Sequence, residues 1–455
     1  MQLQHFPKAS WIAEAVIYVA TGRIEAGKTV NWLLLAGAFC AALAFFLSMR
    51  KWPKGVSVWL AALVSWTPVT ACQAFTYYQD GQLMSLFVSL AVSLLVLARG
   101  KGGGPWAVAL SGCSLPLLVN LKFTGIAYTG LLVAGLLIHR LVISRSFHET
   151  ARLALFCVGV AGLSLLFFGY NPYVTNALRN GHPLHPMAGP EAYYEKVFSV
   201  KDRPADFQNL SPAHRLFRSV FAVSEDAMTP RSSHAKLPFS VSWVEVAEFR
   251  TGYQVRVAGW GPFFGGALIL ASLLLAWLFW THPRIAGGSI PLLAVILATL
   301  FVNPEAWWAR YAPQAWLLPC VVAGAALMAG GWARRFAFVL LAVLSLNVGL
   351  VSAANLRGAL VESRKIGRQL ERINLKRQPV VIHFGWFRSL RVRLTEAGIH
   401  FREVQEPSEL PFGSRARMVG TEAVFCWEVP GTTGSRGVTG GSAVPEAHGF
   451  PVSFR

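Results

Sequence analysis

The segment Tyr77-Tyr78-Gln79-Asp80-Gly81-Gln82 places a carboxylate and two phenol rings directly before a long apolar run. An aspartate at such a boundary, beside tyrosines such as Tyr78, can hold a sugar hydroxyl or take up a catalytic proton. The same residue is also favoured as a solvated anion at a helix amino terminus, with no further role. The sequence therefore makes Asp80 a candidate acidic site residue and leaves the structural alternative open.

Lys122 lies between two apolar runs, in the segment Leu121-Lys122-Phe123-Thr124-Gly125. A fixed ammonium group at a membrane interface suits a lipid phosphate or pyrophosphate. The alternative is a lysine that only extends its charge into the lipid headgroups. Lys122 is thus a candidate phosphate ligand that also has a purely structural explanation.

Arg310 and Tyr311 belong to a segment that also contains Glu305 and the pair Trp307-Trp308. Paired tryptophans are typical of the interfacial belt of membrane proteins, whereas an Arg-Tyr pair entering a span is costly without a partner. A guanidinium group can bind two phosphate oxygens at once. We therefore expect Arg310, with Tyr311 beside it, to bind phosphate.

The segment 170–186 is rich in Pro, Gly and Asn and contains Asn176, His182 and His185. Its composition forces turns, and its aromatic and amide side chains suit contacts with a sugar. The two histidines are three residues apart, but Pro183 lies between them and no third ligand is evident. We expect Asn176 and His182 to bind substrate; no metal site or cofactor is identified, and dependence on a divalent metal is left undecided.

Residues 22–29 match the GxxxxGK[ST] pattern of nucleotide-binding loops and follow a β-like run at 16–20. Such a loop needs a soluble βαβ unit and a second acidic strand for Mg²⁺. Here an apolar span follows directly, and no apolar strand ending in Asp is found downstream. ATP is therefore not expected as a partner.

The composition places these groups in a membrane protein. The chain has 455 residues, of which 54% are hydrophobic and 14% are charged, against about 25% charged residues in soluble domains. The net charge of +19 is spread over short loops, without a recognition motif, so nucleic acid is not expected. The six cysteines lack C-x-x-C spacing and imply neither a disulfide framework nor a zinc site.

Hydropathy and the intervening Gly, Pro and charged residues predict ten membrane-spanning helices. They lie at about 30–48, 55–72, 82–98, 106–120, 123–143, 151–169, 259–281, 287–302, 312–330 and 334–354. Alternate loops carry the bases Arg50, Lys51, Lys54, Arg99, Lys101, Arg140, Arg145, Arg152, Arg334 and Arg335. The positive-inside rule makes these loops cytoplasmic, so the loops with the candidate site residues and both termini are extracytoplasmic.

The predicted fold is an all-α polytopic membrane protein with a small α/β module at its carboxyl end. The extracytoplasmic tail contains Val380–Phe384, 388–397 and 399–404, which together indicate a βαβ-like unit, and the Gly- and Ser-rich stretch 431–449 is expected to be disordered. The sequence thus predicts three extracytoplasmic regions, residues 1–29, 170–258 and 355–455. Between them lie two membrane regions, residues 30–169 with six spanning helices and residues 259–354 with four.

These landmarks occur in an order that resembles the GT-C superfamily of polytopic glycosyltransferases. The closest likeness is to the bacterial branch related to protein mannosyltransferases and lipid A aminoarabinose transferases. The resemblance covers roughly 60–190 and 300–330. It is carried by Thr67-Pro68 with Tyr78 and Asp80, Lys122-Phe-Thr-Gly125, Asn171-Pro172 with Asn176 and Gly181-His182-Pro183, and Arg310-Tyr311 with Pro313.

The resemblance implies inverting transfer of a sugar from a polyprenyl-phosphate donor to an envelope glycan or lipid acceptor. The reaction would take place on the outer face of the bacterial plasma membrane. In such enzymes an acidic residue of the first outside loop acts as the base, and basic residues hold the departing lipid phosphate. Asp80 would then be an acidic site residue, with Lys122 and Arg310 on the phosphate and Tyr78, Tyr311, Asn176 and His182 around the substrate.

The amino terminus departs from this family pattern. Residues 4–11 are similar to the second half of the first loop, but no helix precedes them, and the acids Glu14 and Glu25 do not occupy the position of the family base. This suggests a reading frame that lacks an upstream helix, or a non-catalytic relative. A transporter or flippase of lipid-linked sugars is a further alternative, which would require charges within the spans and symmetric halves.

Overall fold

The structure is a computed structural model that describes residues 2–49, 52–99, 104–189, 192, 203–226, 232–411 and 415–427. The stretch 431–449, which the sequence predicts to be disordered, lies outside these residues. The chain forms two compact units, Met1–Ser363 and Arg364–Arg455. The predicted boundary at 355 therefore lies nine residues before the observed one, because one helix continues through it.

The first unit is helical. Its helices are α1 (Ala9–Thr21), α2 (Thr29–Ser48), α3 (Lys54–Ser65), α4 (Pro68–Gln73), α5 (Asp80–Ala98), α6 (Pro105–Val119), α7 (Phe123–Ser144), α8 (Phe147–Phe167), α9 (Thr175–Asn180), α10 (Pro212–Val220), α11 (Trp243–Thr251), α12 (Phe264–Thr281), α13 (Pro283–Phe301), α14 (Leu317–Ala329) and α15 (Gly331–Leu375).

Among the described residues, seven helices are long and apolar enough to cross a membrane, which supports a multi-pass membrane protein. They are α2, α5, α7, α8, α12, α13 and α15. The other three predicted spans, 55–72, 106–120 and 312–330, correspond to shorter apolar helices. The first of these is interrupted between α3 and α4, where the Thr67 side chain caps α4 ahead of Pro68.

The central helix of the first unit is α5, which is buried along most of its length. Its serines permit close packing because their hydroxyls bond within the helix or to a neighbour. Ser89 donates to the Ser85 carbonyl at 2.9 Å, and Ser111 of α6 donates to Ser93 at 2.7 Å. Small polar residues of this kind let membrane helices approach closely without leaving hydrogen bonds unmade. Asp80 is the first residue of this buried helix.

Two tryptophans join α3 to α15 across the helical unit. The indole nitrogens of Trp59 and Trp66 donate to Ser345 and Ser352 at 2.7 and 2.8 Å. Both pairs are seven residues apart along their helices, which is two turns, so α3 and α15 run side by side over this stretch. This contact connects the second predicted span, 55–72, to the last, 334–354.

Basic loops gather at one end of the bundle. Arg99, after α5, donates to the sulfur of Met49, after α2, at 2.9 Å. Arg140, near the end of α7, donates to the Leu97 carbonyl at 3.1 Å. The loops that carry Asp80, Lys122 and Arg310 meet one another elsewhere, as described below.

The β-like run predicted at 16–20 is wrong, because these residues lie within α1. A 3-10 turn, Ile24–Lys28, connects α1 to α2, and Lys28 pairs with Glu25 at 2.5 Å. The strand that a nucleotide-binding loop requires in front of it is thus replaced by a helix. The apolar character of α1 follows its helical period, with Ile12, Val16 and Val19 exposed on one face.

The second unit contains the predicted βαβ arrangement. Strands β1 (Val380–His383) and β2 (Phe401–Glu403) are parallel and are connected through α16 (Leu390–Glu396). Two further strands, which the sequence analysis did not predict, complete a four-stranded sheet in the order β2-β1-β4-β3: these are β3 (Ala416–Arg417) and β4 (Val424–Trp427). Val380, Ile382, Leu394 and Phe425 form part of its own apolar core.

Candidate functional site: a buried aspartate beside a lysine and an arginine

Asp80 is held at the junction between α4 and α5. Asp80 is only 3% exposed, although it is the first residue of a helix. Gln73, the last residue of α4, accepts a hydrogen bond from the Gly81 amide at 2.8 Å and donates to Asp80 Oδ2 at 3.3 Å. The amino terminus of α5 also favours the negative charge. The carboxylate is therefore fixed in place rather than solvated in a loop.

Lys122 is the first partner of Asp80. Its Nζ lies 2.5 Å from Asp80 Oδ1 and 4.2 Å from the centre of the Tyr311 ring. The extended backbone of Lys122 directly precedes α7, and the close approach of α6 to α7 turns the chain here. A Cβ atom on Gly125 would overlap the Leu118 carbonyl oxygen, so this approach requires a glycine.

Arg310 reaches Asp80 from the connection between α13 and α14. Its Nε lies 3.9 Å from Asp80 Oδ2, and among the described residues this atom has no hydrogen-bond partner. The guanidinium group donates to the Tyr311 hydroxyl at 2.7 Å and to the Gln254 side chain. It also lies over three aromatic rings, with centre distances of 4.4 Å to Trp308, 4.7 Å to Tyr311 and 5.2 Å to Tyr78.

We refer to Asp80, Lys122, Arg310, Tyr78 and Tyr311 as the Asp80 site. It brings together five of the seven predicted site residues, from three separate parts of the chain. The two cations exceed the single carboxylate by one positive charge, and both sit beside aromatic rings. Such a group attracts an additional anion, and phosphate suits a guanidinium and an ammonium together.

Tyr78 forms the outer wall of the site. Burial raises the pKa of its hydroxyl above the usual value, and the nearby charge of Arg310 partly offsets this effect. The hydroxyl is therefore neutral at physiological pH and accepts a hydrogen bond from Gln254 Nε2 at 2.7 Å. The ring of Tyr253 lies 5.2 Å from that of Tyr78.

Three further residues of the site were not predicted from the sequence: Gln73, Tyr253 and Gln254. Gln73 donates to the Tyr253 carbonyl at 3.1 Å, and the Trp308 indole donates to the Gln254 carbonyl at 2.6 Å. No spacing or motif singles out these glutamines. Their role depends on how the connection between α11 and α12, which contains Tyr253 and Gln254, folds back over α4 and α5. Only the aromatic content around 253 and 308 gives any signal in the sequence.

The tryptophan pair differs from its prediction, and Glu305 has partners of its own. Trp307 and Trp308 are 1% and 3% exposed, so they belong to a buried cluster with Phe207 and Val257 and not to an interfacial belt. Glu305 is the partner of Arg203 and, at 3.5 Å, of Arg215, and it accepts from the Trp307 indole at 2.6 Å. The buried carboxylate of Glu305 is thus paired with Arg203 and Arg215, separately from Arg310.

Asn176 and His182 direct their hydrogen bonds away from the Asp80 site. Asn176 interacts with His5 Nδ1 at 2.8 Å and donates to the His185 carbonyl at 2.8 Å. His182 Nδ1 accepts from the Leu184 amide at 3.1 Å, which is a local turn contact. Asn176 therefore joins the segment 170–186 to the amino-terminal segment, and His182 stabilises a turn within 170–186.

No described group of three or more His, Cys, Asp or Glu side chains is close enough together to hold a metal ion. The Asp80 site itself offers one carboxylate and two cations, which is a donor set for anions rather than for a divalent metal.

Comparisons with protein-family models, with curated proteins and with solved structures gave no match to this chain. The functional assignment therefore has to be argued from the site itself and from the motifs that surround it.

Proposed function

We propose that this chain is a membrane glycosyltransferase of the GT-C type, which moves a sugar from a polyprenyl-phosphate donor to an envelope glycan or lipid acceptor. The observation that carries the proposal is the convergence of Lys122 and Arg310 on the buried carboxylate of Asp80. Residues that the family resemblance assigns to one substrate site, from distant parts of the sequence, contact one another here.

The site suits a lipid-linked donor because cationic and aromatic groups are combined at the end of an apolar bundle. A phosphate at the membrane boundary can bind Lys122 and Arg310 while its isoprenoid tail stays in the lipid. The rings of Tyr78, Tyr311 and Trp308 offer flat apolar faces beside those cations. A soluble anion would gain nothing from the adjoining spans, whereas a polyprenyl chain would.

Asp80 and the donor phosphate would compete for the same two cations. A phosphate that takes over Lys122 and Arg310 relieves Asp80 of its pairing and allows the carboxylate to accept a proton. In inverting transfer, the acceptor oxygen attacks the anomeric carbon and its proton passes to a base. The bond between that carbon and the phosphate oxygen breaks, and the phosphate leaves with the electron pair, stabilised by the two cations.

The positive-inside rule supplies the membrane orientation that we propose for this chain. The basic loops around Arg99 and Arg140 would face the cytoplasm, and the Asp80 site would then lie on the outer face of a bacterial plasma membrane. Both termini are then outside, and all ten predicted helices span, with α3, α6 and α14 crossing as short helices. An enzyme on that face would draw on donors whose phosphate sits in the outer leaflet.

The test uses the purified full chain in lipid nanodiscs with a polyprenyl phosphate, the product common to every donor of this class. We expect saturable binding that an uncharged polyprenol of the same length does not compete for. In proteoliposomes supplied with lipid-linked sugars and envelope lipids, we expect the polyprenyl phosphate to be released as sugar is transferred. Equal binding of the uncharged polyprenol would refute the proposal. Movement of intact donor across the membrane without bond cleavage would replace it with a flippase.

A further inference from the structure

Asp226 fixes the backbone of the segment that reaches into the Asp80 site. Its Oδ1 accepts the Arg256 amide at 3.1 Å, and its Oδ2 accepts the Gln254 amide at 3.3 Å. A second pairing, between Glu225 and Val257, holds the same two segments through backbone hydrogen bonds of 3.1 Å in both directions. The position of residues 254–257 is thus set by the segment that contains Asp226.

Gln254 connects the backbone of residues 254–257 to the Asp80 site through hydrogen bonds. Its side-chain oxygen accepts from Arg310, and its side-chain nitrogen donates to the Tyr78 hydroxyl at 2.7 Å. Its carbonyl oxygen accepts from the Trp308 indole at 2.6 Å. One residue therefore contacts three aromatic or cationic groups that surround the proposed phosphate position, and its own amide is held by Asp226.

We propose that Asp226 is a positioning residue that controls Arg310 through Gln254, so that the protonation of Asp226 regulates phosphate binding at the Asp80 site. The identity of the ligand rests on the proposed function. The mechanical link from Asp226 to Gln254 and Arg310 does not, because it consists only of contacts within the chain.

The charged and titratable groups around Asp226 come from several elements. Glu248 of α11 accepts the Asp226 amide at 3.0 Å, and its charge acts on the Asp226 carboxyl, as does that of Arg256. Cys72 of α4 lies within electrostatic range, and its thiol is buried. Glu225 is the neighbour in sequence, and it lines the same small cavity of about 10 Å³ as Asp226, Glu248 and Arg256.

This environment brings the protonation of Asp226 into the physiological pH range. The pKa of Asp226 is raised from 3.8 to about 7, mainly because the carboxyl is buried; the Arg256 and Gln254 amides and the charge of Arg256 lower the pKa, and the charge of Glu248 raises it. Hydrogen bonds that lower an acid's pKa are stronger to the carboxylate than to the neutral acid. Protonation below pH 7 therefore weakens the hold on residues 254–256, and ionisation above pH 7 restores it.

The experiment measures amide hydrogen exchange of the full chain in nanodiscs between pH 5.5 and 8.5, with labelling times scaled to the intrinsic exchange rate. We expect the segments 252–257 and 306–312 to gain protection together as the pH rises through about 7. Asp226→Asn cannot ionise, so it should stay at the low-pH level throughout. Glu248→Gln removes a neighbouring negative charge and should move the midpoint to lower pH.

Affinity for a polyprenyl phosphate is measured on the same samples. We expect binding to the wild-type chain to strengthen about fivefold across this pH range relative to Asp226→Asn, the effect of one strengthened hydrogen bond. The second ionisation of the phosphate affects both proteins equally and cancels in the comparison. A step in exchange that persists in Asp226→Asn, or its absence from the wild-type chain, would overturn the inference. Failure of every variant to bind the phosphate would instead refute only the proposed function.

Discussion

Lys122 Nζ lies 2.5 Å from Asp80 Oδ1, and the two residues are 42 positions apart in the sequence. The Asp80 side chain is 4% exposed and that of Lys122 is 26% exposed, so the pair is neither a surface ion pair nor a fully buried one. Each residue therefore has a structural role in addition to any role toward a ligand, and substitutions have to separate the two roles.

Replacing Lys122 alone should destabilise the chain more than replacing both members of the pair. Lys122→Ala leaves a buried carboxylate with only the more distant Arg310, and we expect a cost of about 2 kcal/mol, below the ~3–5 kcal/mol found for fully buried pairs. Lys122→Ala with Asp80→Asn removes that charge and should recover much of the loss. Thermal unfolding in detergent of the wild type, both single variants and the double variant completes the cycle. Additive losses would show that the two side chains do not interact.

Substitution of Arg310 should weaken phosphate binding by about 10- to 100-fold, the value of a hydrogen bond to a charged group. We expect Arg310→Ala to lower both polyprenyl-phosphate affinity and sugar transfer while membrane insertion is kept. Arg310→Lys should lie between this variant and the wild type, because it keeps the charge but loses the second hydrogen bond. Arg284→Ala, at an exposed position at the start of α13, is the matched control. Wild-type affinity in Arg310→Ala would remove this residue from the site.

The helix α7 offers a matched pair of glycine substitutions. A Cβ atom on Gly125 would overlap the backbone of Leu118, so Gly125→Ala forces α6 and α7 apart close to Lys122. Gly130 has no atom within 4 Å of the corresponding position, and Gly130→Ala should be tolerated. We expect a lower melting temperature and weaker phosphate binding for Gly125→Ala alone. Similar melting temperatures for the two variants would contradict the close contact at Leu118.

Glu305 should stabilise the segment 203–220 through Arg203 and Arg215. Glu305→Gln leaves two arginines with a neutral acceptor, and we expect a loss of about 2 kcal/mol concentrated in residues 203–220. Asp206→Asn is the comparison, because its partner Arg218 is 44% exposed and such pairs contribute about 0–1 kcal/mol. Hydrogen exchange of residues 203–220 distinguishes the two variants. Unchanged exchange in Glu305→Gln would show that the tryptophan packing alone holds this loop.

The sequence by itself indicated a multi-pass membrane protein and where most of its long apolar helices lie. Apolar runs long enough to span lipid have no other stable environment, so α2, α5, α7 and α8 begin and end within a few residues of their predicted bounds. The parallel strands β1 and β2 with α16 between them follow from the same local reasoning, because alternation and turn residues act over short distances. The antiparallel strands β3 and β4 were missed, since two- to four-residue strands carry too little pattern.

Only the tertiary structure decided which polar residues act together. Asp80 and Lys122 each had a structural explanation as single residues, and their convergence with Arg310 depends on how α5, α7 and the α13–α14 connection pack. Gln254 and Asp226 gave no sequence signal, because their roles depend on a loop that folds back across the bundle. Hydropathy reports the preference of each residue for lipid or water. The partner of a buried charge is set by packing between distant segments, which no local pattern records.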